Sequence, residues 1–226
     1  MKHLRLALFG LAVSSTLIAS NAFAEEASSG TGVQVGLRLG YALPMGESVK
    51  DSKMSDGLKS AIPIQVDVGY RVIPALVIGG FFSYAPLQLK DGDQGCPSGA
   101  DCSNSQLRFG VQAHYHLMPT EKFDPWLGAG IGYELVNSKA TKGSVESSFS
   151  YGGFEFLNLQ AGADYKVMPK LGIGPYLSFA LGQYSKSSAK LSGTGVADYD
   201  RSADIDSDKK AMHQWLTIGV RGAFDL

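Results

Sequence analysis

The sequence predicts an all-β protein folded as an eight-stranded antiparallel barrel with up-and-down topology, and three patterns support this prediction. In residues 106–117, apolar and polar side chains alternate strictly, which is typical of a β-strand with one apolar and one polar face. Three strands end in similar turns at Pro74, Pro119 and Pro169, which indicates a repeated hairpin unit. Short turns also alternate along the chain with long polar connections.

Eight segments of alternating hydrophobicity supply the strands. The third segment alternates least well, because Phe81 and Phe82 are adjacent. Strands are predicted at residues 33–43, 62–72, 76–85, 106–117, 126–136, 153–167, 171–182 and 215–226. Long polar loops are predicted at residues 44–60, 86–105, 137–152 and 183–212, all at the same end of the barrel.

The first 24 residues have the organisation of a secretory signal peptide. Lys2 and Arg5 give a basic start, an apolar run follows, and residues 22–24 (Ala-Phe-Ala) form a small-x-small cleavage site. The alternative, an N-terminal membrane anchor, is disfavoured because the apolar run is too short to span a bilayer comfortably. We therefore expect a flexible lead over residues 25–32 and one barrel domain over residues 33–226.

Aromatic side chains indicate which face of the barrel meets lipid. They fall at two heights on the apolar face, as expected for the two interfaces of a membrane. The polar face mixes charges with glycines, as a narrow interior does, whereas a soluble lipocalin-type barrel would turn its apolar face inward. The sequence therefore predicts a transmembrane barrel. The girdle residues are Tyr41, Tyr84 and Tyr133 near the loops and Tyr70, Tyr115, Tyr165 and Phe224 near the turns.

Charged side chains on the polar face are predicted to point into the lumen, where they should pair because an unpaired buried charge is costly. The predicted lumen charge network consists of Arg38, Asp67, Arg71, Arg108, Glu134, Asp164, Lys166 and Arg221. Counting back from the intervening turn places Arg108 nearly opposite Glu134, so these two residues are predicted to form an ion pair. Two interpretations remain open: a structural lattice of salt bridges, or an ion path through that lattice.

Cys96 and Cys102 are the two cysteines of the chain. In an exported protein, an even pair at short spacing indicates a disulfide, here pinning the second long loop. Metal binding is the alternative, but two thiolates without a nearby histidine supply only half of a zinc site. The sequence indicates no metal site and no cofactor.

Two other chemical interpretations are weaker. His114 and His116 with an inward Ser178 could suggest a lipid hydrolase, but parity points both histidines toward the turn end of the lumen, away from outer-leaflet lipid. Residues 204–208 (Asp-Ile-Asp-Ser-Asp) resemble the start of a calcium loop but lack the glycine and glutamate that such a loop needs. A solvated acidic loop is the preferred interpretation, and weak contact with divalent ions stays open. No catalytic residues are predicted.

The chain resembles the small eight-stranded outer-membrane barrels of Gram-negative bacteria, the OmpA/OmpX/OmpW-like group. The resemblance covers residues 33–226 and rests on the strand pattern. It implies an integral outer-membrane protein with periplasmic N and C termini. In that group the last strand usually ends in an aromatic residue that the assembly machinery recognises. Here Phe224 is present but the strand ends in Leu226.

Two functions from different classes fit this barrel. The first is a non-enzymatic structural or surface-interaction role through four long extracellular loops. The second is a narrow, porin-like pore for ions or small solutes. Eight strands leave an interior just wide enough for side chains, which favours the first. Expected partners are outer-membrane lipid, lipopolysaccharide and an extracellular ligand at the loops, and no basic patch indicates nucleic acid.

Overall fold

The computed structural model describes residues 30–90, 96, 99–193, 195 and 198–226. The predicted signal peptide and residues 25–29 of the predicted lead lie outside these residues. Strands make up most of the described chain, and no helix within it is long and apolar enough to cross a membrane. The described elements are β1 (Gly32–Val49), β2 (Ser52–Lys53), α1 (Met54–Gly57), β3 (Leu58–Ala61), β4 (Ile64–Ile73), β5 (Leu76–Leu89), β6 (Asp101–His116), β7 (Phe123–Lys142), β8 (Val145–Met168), β9 (Leu171–Gly193), β10 (Tyr199–Asp204) and β11 (Met212–Asp225).

Eight antiparallel strands close into a ring in chain order. The order is β1, β4 with its continuation β3, then β5, β6, β7, β8, β9 and β11, and β11 pairs back onto β1. β3 continues the path of β4 beyond Pro63, and both pair with β1 and β5. The predicted all-β, eight-stranded up-and-down barrel is therefore confirmed.

Several of the predicted long loops are largely strand, so this part of the prediction is wrong. Residues 137–152 are the upper ends of β7 and β8, joined by Gly143 and Ser144 alone. β9 likewise continues to Gly193, and β10 pairs alongside it. These residues are polar, as residues of loops commonly are. Beyond the apolar band a strand contacts water on its faces, so its hydrogen-bonded ladder can continue without lipid-facing side chains.

The upper ends of β7, β8 and β9, together with β10, form a sheet that rises above the barrel, here called the projecting sheet (residues 137–142, 145–152, 186–193 and 199–204). Opposed residues of antiparallel neighbours share a face. Lys139 pairs with Glu146 at 2.7 Å on the outer face, as Lys190 does with Asp200 at 2.9 Å. The inner face begins at Tyr151, whose ring stacks on a tyrosine buried inside the barrel. The projecting sheet therefore has a charged outer face and an aromatic inner face.

A band of exposed apolar side chains surrounds the barrel. Val111 is 58% exposed and Ile218 63% exposed, although both lie at the middle of long strands. Six of the seven predicted girdle residues are exposed on this outer surface, namely Tyr41, Tyr70, Tyr84, Tyr115, Tyr165 and Phe224. The seventh, Tyr133, is half-buried because it packs between Phe109 and Phe154 of the neighbouring strands.

Apolar side chains fill the loop end of the lumen. The four-residue helix α1 places Met54 there, only 5% exposed. This cluster, here called the upper plug, consists of Ala42, Met54, Ala61, Ala85, Leu87, Val136, Ala180, Tyr184 and Trp215. Below it the interior is mostly polar, with a few buried rings such as Phe81, Trp126 and Tyr176 among the polar side chains.

We expect Val111→Arg to reduce the free energy of unfolding in lipid by about 2–4 kcal/mol, because it places a charge at mid-height of the lipid-facing band. Ser192→Arg, on the projecting sheet, is the matched control and should change it by less than about 0.5 kcal/mol. Urea unfolding in lipid vesicles, followed by tryptophan fluorescence, measures both. Equal stability of Val111→Arg and the unmodified barrel would contradict a lipid-facing position.

Candidate functional site

Because alternate side chains of each strand face the lumen, the predicted charged residues point into it. Six of them are at least 95% buried: Arg38, Asp67, Arg108, Glu134, Asp164 and Arg221. Arg71 and Lys166 are half-buried nearer the turn end. The candidate site is therefore the interior of the barrel, whose polar side chains form a lower, a middle and an upper layer.

The lower layer, at the turn end, is held by pairs between distant strands. Arg221 of β11 binds Asp164 of β8, and its other terminal nitrogen donates to Gln34 of β1 at 2.8 Å. Arg71 pairs with Asp225 at 3.2 Å. These contacts link β11 to its neighbour β1 and to β8 and β4, each of which lies two strands away around the ring.

Two further contacts in the lower layer involve the short β6–β7 connection. His116 Nδ1 lies 2.7 Å from a carboxylate oxygen of Asp124, its neighbour across the short β6–β7 connection. Lys166 donates to the backbone carbonyl of Pro119 in that same connection. Lys166 is thus bound to a carbonyl and not to one of the predicted acidic partners.

Arg38 organises the middle layer. Its guanidinium donates from Nε to Asp67 at 2.6 Å and from Nη1 to Gln160 at 2.7 Å, while Nη2 lies 3.0 Å from Nε2 of His114. These partners sit on β4, β8 and β6, so one side chain from β1 ties together three other strands. The rings of Trp126 and Tyr176 lie 5.4 and 5.2 Å from the guanidinium carbon, within the range of cation–π attraction.

Glu134 organises the upper layer. Its carboxylate accepts hydrogen bonds from Tyr184 Oη, from Trp215 Nε1 at 3.1 Å and from Gln106 Nε2 at 3.1 Å. The Nε2 atom of His213 lies 3.2 Å from its second oxygen. A single buried carboxylate therefore connects β6, β7, β9 and β11 immediately below the upper plug.

Arg108 pairs with a residue that the sequence analysis missed. Arg108 lies directly opposite Glu134 in the β6–β7 register, as expected. Its Nε and Nη2 atoms nevertheless contact Glu155 Oε2, at 2.7 and 2.6 Å. The prediction that Arg108 and Glu134 form the ion pair is therefore wrong, because Glu134 is occupied by other donors.

A β-bulge explains why Glu155 was missed. The register of β8 against β9 shifts between Glu155 and Leu157, which reverses the alternation of the strand at that point. Counting back from Asn158 by twos therefore assigns Glu155 to the lipid side, whereas it is 1% exposed in the lumen. The adjacent apolar residues Phe156 and Leu157 are the sequence signal that could have revealed the bulge.

Little space remains between these layers. The described residues leave a void of about 10 Å³ beside Asp67 and His114 and one of about 20 Å³ at the turn end. A void of this kind holds about one water molecule. The side chains of the described residues therefore fill the lumen at mid-height, as expected for eight strands.

The residues considered for hydrolysis are not assembled as a nucleophile and base. His114 is bonded to Arg38 and Gln160, and His116 to Asp124. Ser178 is buried on β9, and no hydrogen bond joins it to either histidine within the described part of the chain.

The acidic segment after β10 is solvated. Asp206 pairs with Lys209 at 3.1 Å, and this hydrogen bond raises the pKa of the exposed Lys209 ammonium. Among the described residues, no three His, Cys, Asp or Glu side chains converge as metal ligands would. The predicted disulfide is present between Cys96 and Cys102, whose Cα atoms are 5.7 Å apart, and it tethers the start of β6.

The model of one protein family, the outer membrane protein β-barrel domain, matches residues 9–196 of the chain. The chain belongs to this family. It is therefore an integral protein of the outer membrane, and the apolar band described above is its lipid-facing surface. Among curated proteins, none is a significant sequence match to the chain.

Solved structures similar to this barrel come from several bacteria. A major outer membrane protein from Thermus thermophilus superposes with a TM-score of 0.52 at 12% identity, covering 85% of this chain and 99% of that one. The Neisserial surface protein A gives 0.46 at 17%, covering 88% and 98%. OprG from Pseudomonas aeruginosa gives 0.42 at 13%, covering 86% and 97%. At these identities the likeness concerns the fold alone.

We expect Arg108→Met or Glu155→Met alone to cost about 3–5 kcal/mol of unfolding free energy, because each leaves a buried charge without its partner. The double variant should cost less than the sum of the single losses, as directly coupled residues do. A double-mutant cycle from denaturant unfolding in lipid measures this. The exposed pair Lys139 and Glu146 is the control, with an expected coupling of about 0–1 kcal/mol. Additive losses at Arg108 and Glu155 would contradict direct contact.

Proposed function

We propose that this protein is a non-conducting outer-membrane barrel that works as a surface-interaction protein through its loop end. The observation that carries the proposal is the closed lumen. Arg38 and Glu134 each join several strands through the centre of the barrel, and the upper plug lies above them. Because the described side chains fill the centre of the barrel, the surface that we propose for specific contacts is the one above the membrane.

The projecting sheet supports this proposal. Its outer face carries exposed ion pairs, and its inner face presents Phe149 and Tyr151 to the space above the upper plug. In the proposed orientation the projecting sheet is extracellular, and the turns with both ends of the barrel are periplasmic. Lipopolysaccharide is the proposed neighbour of the charged outer face, and the assembly machinery is the proposed partner of β11 through Phe224.

A non-enzymatic role is part of the proposal. The buried acids and bases that could perform proton transfer are bonded to one another across the barrel, as Glu134 is to Tyr184 and Asp164 to Arg221. Such groups stabilise the barrel as a hydrogen-bonded network. Because they are buried and bonded to one another, they are not placed to exchange protons with a substrate. The void beside His114 is also too small for a substrate.

We expect the purified barrel in planar lipid bilayers to show no discrete, reproducible current steps, because the polar network and the upper plug fill its centre. A general porin reconstituted in the same membrane provides the positive control. Reproducible single-channel openings of the purified barrel would contradict the proposal and favour a narrow pore for ions or small solutes.

We expect an epitope tag inserted between Gly143 and Ser144, at the tip of the β7–β8 hairpin, to bind antibody on intact cells. A tag at residues 169–170, in the β8–β9 turn, is the matched control and should bind only after the outer membrane is permeabilised. Flow cytometry measures both. The reverse pattern would overturn the proposed orientation.

A further inference from the structure

A cavity of about 310 Å³ opens at the loop end, between the β1–β2 turn with α1 on one side and the projecting sheet on the other. Its floor belongs to the upper plug, through Met54, Val136 and Tyr184. It is more than ten times larger than either lumen void and opens upward, away from the polar network. Its size and its apolar floor suit the body of a small organic molecule.

Aromatic rings form one wall of this cavity. Phe149 meets Tyr151 edge to face, with ring centroids 4.7 Å apart, and Tyr151 stacks on Tyr184 at 5.3 Å. Tyr184 in turn stacks on His213 at 4.0 Å and donates its hydroxyl to Glu134. The wall is therefore anchored in the upper layer of the lumen, and Phe149, 40% exposed, presents an open ring at its top.

Carboxylates line the opposite side of the cavity. Asp51 and Asp56 are exposed, and neither has an ion-pair partner among the described residues. Lys53 is the single cationic side chain in the described lining. Asp51 occupies the left-handed region at φ +67°, in the turn between β1 and β2, where its N–H donates to Glu47 Oε2 at 3.3 Å. The turn thus holds Asp51 at the rim in a conformation that few side chains adopt.

From this arrangement we propose that the cavity binds a small organic cation with an apolar or aromatic body. Aromatic faces and carboxylates both attract a cation, and the binding free energy of an ammonium group is most favourable when it contacts both. The apolar floor buries the body of the same molecule. Two carboxylates against one ammonium leave the rim net negative, so an anion of the same size is repelled. This inference deepens the proposed function, because it names a ligand class for the surface-interaction end of the barrel.

A neighbouring cavity of about 270 Å³ shares Phe149 and Tyr151 but differs in charge. Lys50 and Lys209 line it together with Asp204 and Asp206, and Asp206 is already paired with Lys209. Its charges therefore balance, and it lacks the negative excess that selects a cation. The inference therefore applies to the cavity of about 310 Å³ between α1 and the projecting sheet.

The test is calorimetric titration of the purified full barrel in uncharged maltoside micelles, which avoid competing ammonium head groups. Benzyltrimethylammonium is the cationic probe, benzyl alcohol the neutral one and phenylacetate the anionic one. The cation should bind about tenfold more tightly than benzyl alcohol, and phenylacetate should bind weakest.

The variants separate charge from aromatic surface. Asp51→Asn combined with Asp56→Asn should remove the preference for the cation, and asparagine tolerates the left-handed conformation at residue 51. Asp198→Asn combined with Asp208→Asn removes the same charge from the loop end outside the cavity and should keep the preference. Phe149→Leu retains apolar volume without the ring and should weaken cation binding about two- to fivefold.

Each outcome decides the inference. Equal affinity for the cation and benzyl alcohol, no detectable cation binding, or equal loss in both double variants would overturn it. Cation binding that is lost only in the Asp51 and Asp56 double variant would establish it. The proposed function is tested separately, by the single-channel measurement. If the barrel shows no current and does not bind the cation, only the proposed ligand class is contradicted.

Discussion

Every second side chain of a closed barrel must point into its lumen, and this constraint governs the rest of the structure. The outward residues are apolar because they meet lipid, so the polar residues of each strand are collected inside. Charges confined there are stable only when partners satisfy them. Arg38, Glu134 and Arg221 meet this condition by bonding to residues on strands two or three positions away around the ring. The polar network therefore stabilises the closed ring from within.

The sequence predicted those features that follow from alternation. Strand count, the outward aromatic residues and the opposition of Arg108 to Glu134 all depend on a period of two measured from a short turn. The prediction failed where a bulge interrupts the period of two, and where the strands extend beyond the lipid so that neither face needs to be apolar. The bulge at Glu155 reverses which side chains of β8 point into the lumen. Glu155 therefore points inward and forms the ion pair with Arg108. The upper hairpins lie beyond the lipid, so neither face needs to be apolar and the alternating pattern is weak. Their strands were therefore predicted as loops.

The loop end illustrates a different limit of sequence reasoning. Met54 lies in a segment rich in serine, lysine and aspartate, and one apolar residue there carries no periodic signal. Its burial depends on Ala42, Ala61 and Ala85, small residues from three strands that leave room at the barrel mouth. The polar rim above Met54, including Asp51, belongs to the same segment rich in serine, lysine and aspartate. The candidate ligand cavity thus arises from contacts between elements distant in sequence, which no local pattern describes.

The pairing of β11 with β1 has a consequence for how the barrel forms. Residues 34–46 find their hydrogen-bonding partners at residues 213–225, so the first strand keeps an unsatisfied edge until the last strand arrives. An open edge in hydrocarbon leaves backbone groups without partners, at a cost of several kcal/mol each. Insertion of a partly closed sheet is therefore strongly opposed. The barrel should therefore become stable in the membrane only when β11 pairs with β1, and the open edge of β1 should be shielded from lipid until that step.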